Sequence, residues 1–118
     1  MKSKILFIVF ILLSLCACKP SNSAITTAVS ENIMEGIPDS WAGTLLGGRA
    51  TNIESITVLQ VGKCNKDYDY YPVKVRCVGN GEANTFFGTN PISFDKEGEF
   101  HVYKDDYGKW KASYAGVF

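Results

Sequence analysis

Two spacings of apolar residues divide the chain. Ile25, Val29 and Ile33 recur at intervals of four with Ala28 beside them, which places them on one stripe of a helix. Ser23 or Asn22 supplies a cap, and Gly36 with Pro38 ends the run. A shorter helical run is predicted from Asp39 through Leu46, capped by Asp39-Ser40 and stopped by Gly47-Gly48. From Ile53 onward the period falls to two. Ile56, Val58 and Gln60 alternate with Thr57, Leu59 and Val61, a strand apolar on both faces and therefore expected at the centre of a sheet. Val73, Val75 and Cys77 alternate with Lys74 and Arg76, a strand with one wet face and an inward Cys77. Ile92 with Phe94, and Phe100 with Val102, form two further strands on either side of Asp95-Lys96-Glu97-Gly98, a segment with the composition of a four-residue turn. A last hairpin turns at Asp105-Asp106-Tyr107-Gly108 into Trp110, Ala112 and Tyr114. Thr85-Phe86-Phe87 either begins the Ile92 strand or makes its own, because Gly88 and Pro91 interrupt it.

Helices first and strands afterwards, joined by short turns, predict an α+β fold of two layers. An N-terminal helix would pack on a four- to five-stranded antiparallel meander sheet. A small β-barrel with the helix as a plug is the alternative. The layout, a leading helix followed by a meander, is similar to that of cystatin-like and NTF2-like small domains, with no shared motif.

Ahead of these elements stands a different pattern. Lys2 and Lys4 form a positive start, Ile5 to Leu15 is apolar except for Ser14, and Ala17 directly precedes Cys18. An apolar run of about eleven residues suits a secretory segment and falls short of the roughly 20 needed to span a bilayer. This layout resembles a bacterial prolipoprotein signal peptide, with Leu15-Cys16-Ala17-Cys18 as the lipobox. The resemblance implies cleavage before Cys18 and acyl chains, palmitate among them, on its sulfur and new amino group. Cleavage before Cys16 would leave bulky Leu15 next to the cut, where a small side chain is required. Lys19, not Asp, follows Cys18, which in Gram-negative lipoproteins goes with release to the outer membrane. The expected location is thus the cell envelope, at the periplasmic face of the outer membrane. Residues 1–17 are expected to be the signal peptide, 18–23 a lipidated tether and 24–118 a single domain.

Composition narrows the chemistry. Removing seventeen residues from 118 leaves 101, enough for one modest core. Without Lys2 and Lys4, ten basic side chains face twelve acidic ones, a near-neutral balance with no basic stripe, which argues against nucleic-acid binding. With Cys16 discarded and Cys18 acylated, Cys64 and Cys77 remain, and an oxidising periplasm favours their pairing as a disulfide. Closing that loop would contribute roughly 3 kcal/mol. No Cys-x-x-Cys is present, and His101 is the only histidine, so neither a redox site, a metal site nor any cofactor is expected.

Tyr68-Asp69-Tyr70-Tyr71-Pro72 is the most unusual stretch of the mature chain. Tyrosines in a loop offer rigid contact area with a polar tip, the chemistry of protein-binding hot spots. Tyr68, Tyr70 and Tyr71 are therefore the candidate partner-binding residues; their other reading is a cover over the sheet edge. His101, with no nucleophile or carboxylate placed beside it by any motif, reads as a sheet-surface residue. Serine elbows, phosphate loops and paired histidine motifs are missing, so no catalytic residue is assigned and the chain is not expected to be an enzyme. The expectation is a membrane-anchored lipoprotein acting as a non-catalytic, protein-binding accessory module of a cell-envelope assembly. A periplasmic inhibitor or immunity/exclusion lipoprotein is the alternative, and a small-ligand binder the third.

Overall fold

The computed structural model describes residues 19–43 and 46–117. The expected signal peptide and the lipidation site at Cys18 lie outside the described residues. Helix α1 spans Asn22–Glu35 and is followed by a single turn of helix, α2, at Asp39–Ala42. Four strands come next: β1 Gly48–Val61, β2 Tyr71–Thr85, β3 Gly88–Lys104 and β4 Trp110–Val117. They form one antiparallel sheet in the order β1-β2-β3-β4, a meander with α1 packed on it. The α+β expectation holds in this form, and the closed-barrel alternative does not: α1 packs on both edge strands, β1 and β4, and occupies the gap that a barrel would close.

Ser21, not Ser23 or Asn22, caps α1. Its hydroxyl accepts the Ala24 N–H at 3.1 Å, satisfying one of the donors left open in the first turn. With Pro20 buried and Asn22 already helical, the stretch between Cys18 and the domain is shorter than the expected 18–23 tether. Ile25, Ala28, Val29 and Ile33 are all buried, as their spacing required. Glu31 fixes the helix to the β4 side, 3.4 Å from Lys109 Nζ and 3.9 Å from Lys111 Nζ. At its other end the Ile37 N–H donates to the Gly48 carbonyl at 3.1 Å, the first residue of β1.

β1 is an edge strand, not the central one that its two apolar faces suggested. The inward set is Ala50, Ile53, Ile56, Val58 and Val61, while Thr57, Leu59 and Gln60 are exposed. Those inward residues are spaced three, three, two and three apart. Register shifts at Ala50/Asn52, Ile53/Ser55 and Val58/Gln60 each absorb one extra residue, so Ala50, Ile53, Ile56, Val58 and Val61 oppose alternate residues Gly81, Gly79, Cys77, Val75 and Val73. Bulges of this kind turn a period of three into one face of a sheet and blunt an exposed edge.

The largest departure from expectation is in β3. Asp95-Lys96-Glu97-Gly98 is not a turn; β3 runs straight through it, pairing with Val78 through Val75 of β2. One of these charges is held across the strands, Arg76 of β2 donating to both carboxylate oxygens of Asp95 at 2.8 and 2.6 Å. Gly98 stands there because Trp41 of α2 lies on it. The real β2–β3 turn is Phe86-Phe87, closed by the Thr85–Gly88 pair. The expected turn at Asp105 to Gly108 is present, with the Asp105 N–H donating to the Lys109 carbonyl at 2.8 Å. Asp105 also accepts the Tyr107 and Lys109 N–H groups on Oδ1, both at 2.9 Å. These bonds stabilise the charged carboxylate and hold its pKa below the usual value.

Cys64 and Cys77 are free thiols, and the register explains why the expected disulfide is not formed. Cys77 opposes Ile56 in the middle of β1, and Val61 at the end of β1 opposes Val73. Cys64 lies beyond that end, next to the Asn65–Tyr70 bridge. Six or so residues of strand separate the two levels, about 20 Å, against the 7 Å limit for a disulfide. Cys77 instead fills the core, where burial pushes its thiol up to about 12.

A candidate interaction surface at the hairpin tips

In a meander, the β1–β2 and β3–β4 turns share one end of the sheet and the β2–β3 turn occupies the other. Every one of the three carries an exposed aromatic side chain: Tyr68 is 78% exposed, Tyr107 95%, and Phe86 and Phe87 91% and 101%.

The tyrosine loop is a compact turn. Asn65 and Tyr70 exchange backbone hydrogen bonds, Asn65 Oδ1 accepts the N–H groups of Asp67 and Tyr68 at 3.0 and 3.3 Å, and Asp69 takes a positive φ of 52°. The three candidate residues diverge. Tyr68 projects into solvent. Tyr70 folds back over the outer face of the sheet, its ring stacked on His101 at 3.8 Å between centroids, and its hydroxyl accepts from Asn65 Nδ2 at 3.3 Å. Tyr71 is half-buried and meets Trp110 edge-on at 6.2 Å. Two of the three thus close the sheet, and one is presented for contact. His101 sits half-buried on the outer face beside Glu99, whose Oε2 is 3.8 Å from Nε2, on the surface where its alternation with Phe100 and Val102 put it.

The other end of the sheet holds the larger apolar display, one not assigned from sequence. Phe86 and Phe87 form the two-residue tip. Thr85 Oγ1 donates to the Gly88 carbonyl at 2.7 Å and accepts the Phe87 N–H at 3.3 Å. Asn90 Nδ2 adds a third bond to the same hydroxyl at 3.4 Å. Gly88 takes the positive φ, 116°, that lets the strand reverse. Leu46, 45% exposed, is held nearby through the Asn84 amide on its carbonyl. The signal that could have found the tip was charge: residues 83–94 contain no charged side chain in a chain that is 20% charged.

Among the described residues no group of His, Cys, Asp and Glu could hold a metal ion, and no helix is long and apolar enough to cross a membrane. The fold and its surface define a small two-layer α+β domain with aromatic hairpin tips. Comparison with protein-family models, with curated proteins and with solved structures yields no match.

Proposed function

We propose that this chain is a membrane-anchored bacterial lipoprotein, acylated at Cys18, whose domain is a protein-binding accessory module of a cell-envelope assembly. The observation that carries the binding reading is the placement of Tyr68, Tyr107, Phe86 and Phe87 at all three turns, each at least 78% exposed, where no other large apolar side chain among the described residues exceeds 47%. Solvent-exposed aromatic rings gain nothing for folding, and desolvating them against a partner is favourable. Acylation supports retention at the envelope, because two or three chains on one residue make attachment effectively permanent where a single chain does not.

A second reading, a periplasmic inhibitor, draws on the same hairpin: a β-turn led by two aromatic residues has the shape of a plug for another protein's cleft. Two measurements test the proposal. Radiolabelled palmitate should appear on the N-terminal peptide and disappear in Cys18→Ala; an unlabelled wild-type chain with its leader intact overturns the anchor. Pull-down from envelope membranes should lose a partner when Tyr68 and Tyr107, or Phe86 and Phe87, become Ser. Identical recoveries in all forms overturn the binding module.

A further inference from the structure

We infer that the free edge of β3, from Thr89 to Glu97, takes an extended segment of another protein as an added strand, with basic residues on its outer face and apolar residues on its inner face. The inference rests on the protein-binding reading, but not on the lipid anchor or the aromatic turns.

The edge exists because the last two strands differ in length. β3 runs over Gly88–Lys104, and β4 accompanies it only as far as the pair Gly98–Val117. Past that pair, no strand among the described residues lies beside β3 on the side away from β2. Hydrogen bonds at both ends of β2 fix which backbone groups face outward. The Pro72 carbonyl accepts the Gly62 N–H at 2.7 Å, and the Asn84 N–H donates to the Gly47 carbonyl at 2.9 Å. Even-numbered residues of β2 thus bond toward β1, and odd-numbered ones toward β3. β3 pairs with β2 without a register shift, odd residues opposite even. Odd-numbered residues of β3 therefore direct N–H and C=O away from β2, as the Asp105 N–H does in donating to Lys109. From Thr89 to Glu97 these groups form the row that an incoming backbone completes. Pro91 occupies one of the outward positions, where a missing N–H costs the β2–β3 ladder nothing.

Backbone groups call for a strand, and the side chains say which kind. On the outer face Arg76 donates to both Asp95 carboxylate oxygens and stands opposite Glu97, while Lys74 stands opposite Glu99. Asp95, Glu97 and Glu99 outnumber Arg76 and Lys74, and Asp95 and Glu97 lie on the free edge itself. A basic residue on an added strand would be their direct cross-strand neighbour. On the inner face, half-buried Ile92 leaves apolar surface for an apolar neighbour. A second copy of this chain fits less well. Pairing β3 antiparallel with itself about Asp95 or Lys96 sets Asp95 against Asp95 or Glu97 of the other copy. Pairing about a residue from Pro91 to Phe94 places Pro91 where an N–H is needed. The other edge of the sheet, β1, is interrupted by three register shifts, which break up such a row.

The test titrates the chain, expressed with its own leader and purified in detergent micelles, with the synthetic hexapeptide Lys-Val-Lys-Val-Lys-Val, followed by amide NMR. Shifts should saturate and be largest at Ser93, Asp95 and Glu97. The same peptide with N-methyl groups on its lysines, and a Glu-Val-Glu-Val-Glu-Val peptide, should each bind about tenfold more weakly, the loss that one hydrogen bond or one ion pair can carry. Ser93→Pro removes an outward N–H and leaves the β2 ladder intact, so it should melt close to the wild type and lose affinity by a similar factor. Glu97→Lys, which alters only charge, should do the same and keeps the test decisive if the proline variant does not fold. Shifts confined to β1 or to the aromatic turns, equal binding of the basic and acidic peptides, or wild-type affinity in Glu97→Lys overturns the inference. Envelope pull-down on the same preparations separates the two ideas. No peptide binding with a partner still recovered overturns the edge alone, and loss of both overturns the binding module as well.

Discussion

Gly98 lies under the indole of Trp41: a Cβ at position 98 would come within 2.8 Å of Trp41 Cζ2 and 3.3 Å of the Gly116 carbonyl. The contact lets α2 seat Trp41 against Phe94, Phe100 and Tyr114, with ring centroids 6.0, 6.2 and 5.6 Å away. Those separations fall in the favourable range for tilted and edge-to-face aromatic pairs. The glycine is needed for closeness of approach and not for a turn, since its φ is not positive. Gly98→Val should accordingly lower stability by about 1–3 kcal/mol, the usual cost of overpacking a filled core, with loss of near-ultraviolet circular dichroism from Trp41. Equal urea midpoints for the two forms would show that the contact is not made.

The core and the tip should respond in opposite ways to loss of a ring. Phe100 is fully buried, and Phe100→Ala should cost about 3–5 kcal/mol. Phe86→Ser/Phe87→Ser should alter stability by no more than about 0.5 kcal/mol while abolishing partner recovery. Thermal melts of the two variants read both effects.

Cys77 should behave as a masked thiol. Iodoacetamide at pH 8 should modify the peptide containing Cys64 in the native protein, and that containing Cys77 only after denaturation. The sign of its pH effect is fixed by the direction of its shift. The thiol rises from 9.0 to about 12 on folding, so the folded state holds the proton more tightly. The associated stability is complete below pH 9 and declines as pH climbs toward 12. Cys77→Val should lose that alkaline decline, measured as the difference between wild-type and variant urea midpoints across pH 8 to 11.

Asp105 gives the opposite dependence. The N–H groups of Lys109 and Tyr107 stabilise its carboxylate and lower its pKa below 3.8. The stabilisation is present above that value and is lost as acid protonates the carboxylate. A carbon-detected NMR titration should place the Asp105 carboxyl below the free-residue value. Asp105→Asn should remove the shift and weaken the hydrogen-exchange protection of the Tyr107 and Lys109 amides. A carboxyl that titrates at 3.8 or above would contradict the turn geometry.

Much of the secondary structure was legible in the sequence. Ile25, Ala28, Val29 and Ile33 marked the buried stripe of α1, because a helix surface repeats every three to four residues whatever it packs against. Val73, Val75 and Cys77 marked the inner face of β2 for the equivalent reason in a strand, and Asp105 to Gly108 announced a turn through its own local hydrogen bonding. The neutrality of residues 83–94 was equally visible, though only the structure gave it meaning.

Tertiary structure decided the rest. Whether Asp95-Lys96-Glu97-Gly98 turns or runs on depended on Trp41, more than fifty residues away in sequence, and on the pairing of Arg76 with Asp95. The place of β1 at the edge came from the strand order, and its inward face from three bulges that no local periodicity encodes, since register is set by the partner strand. The distance between Cys64 and Cys77 followed from that register, and the separation of Tyr68 from Tyr70 and Tyr71 from the contacts of the latter two with His101 and Trp110. Local patterns arise from the geometry of one segment with itself, whereas pairing, edge position and exposure arise from which segments meet.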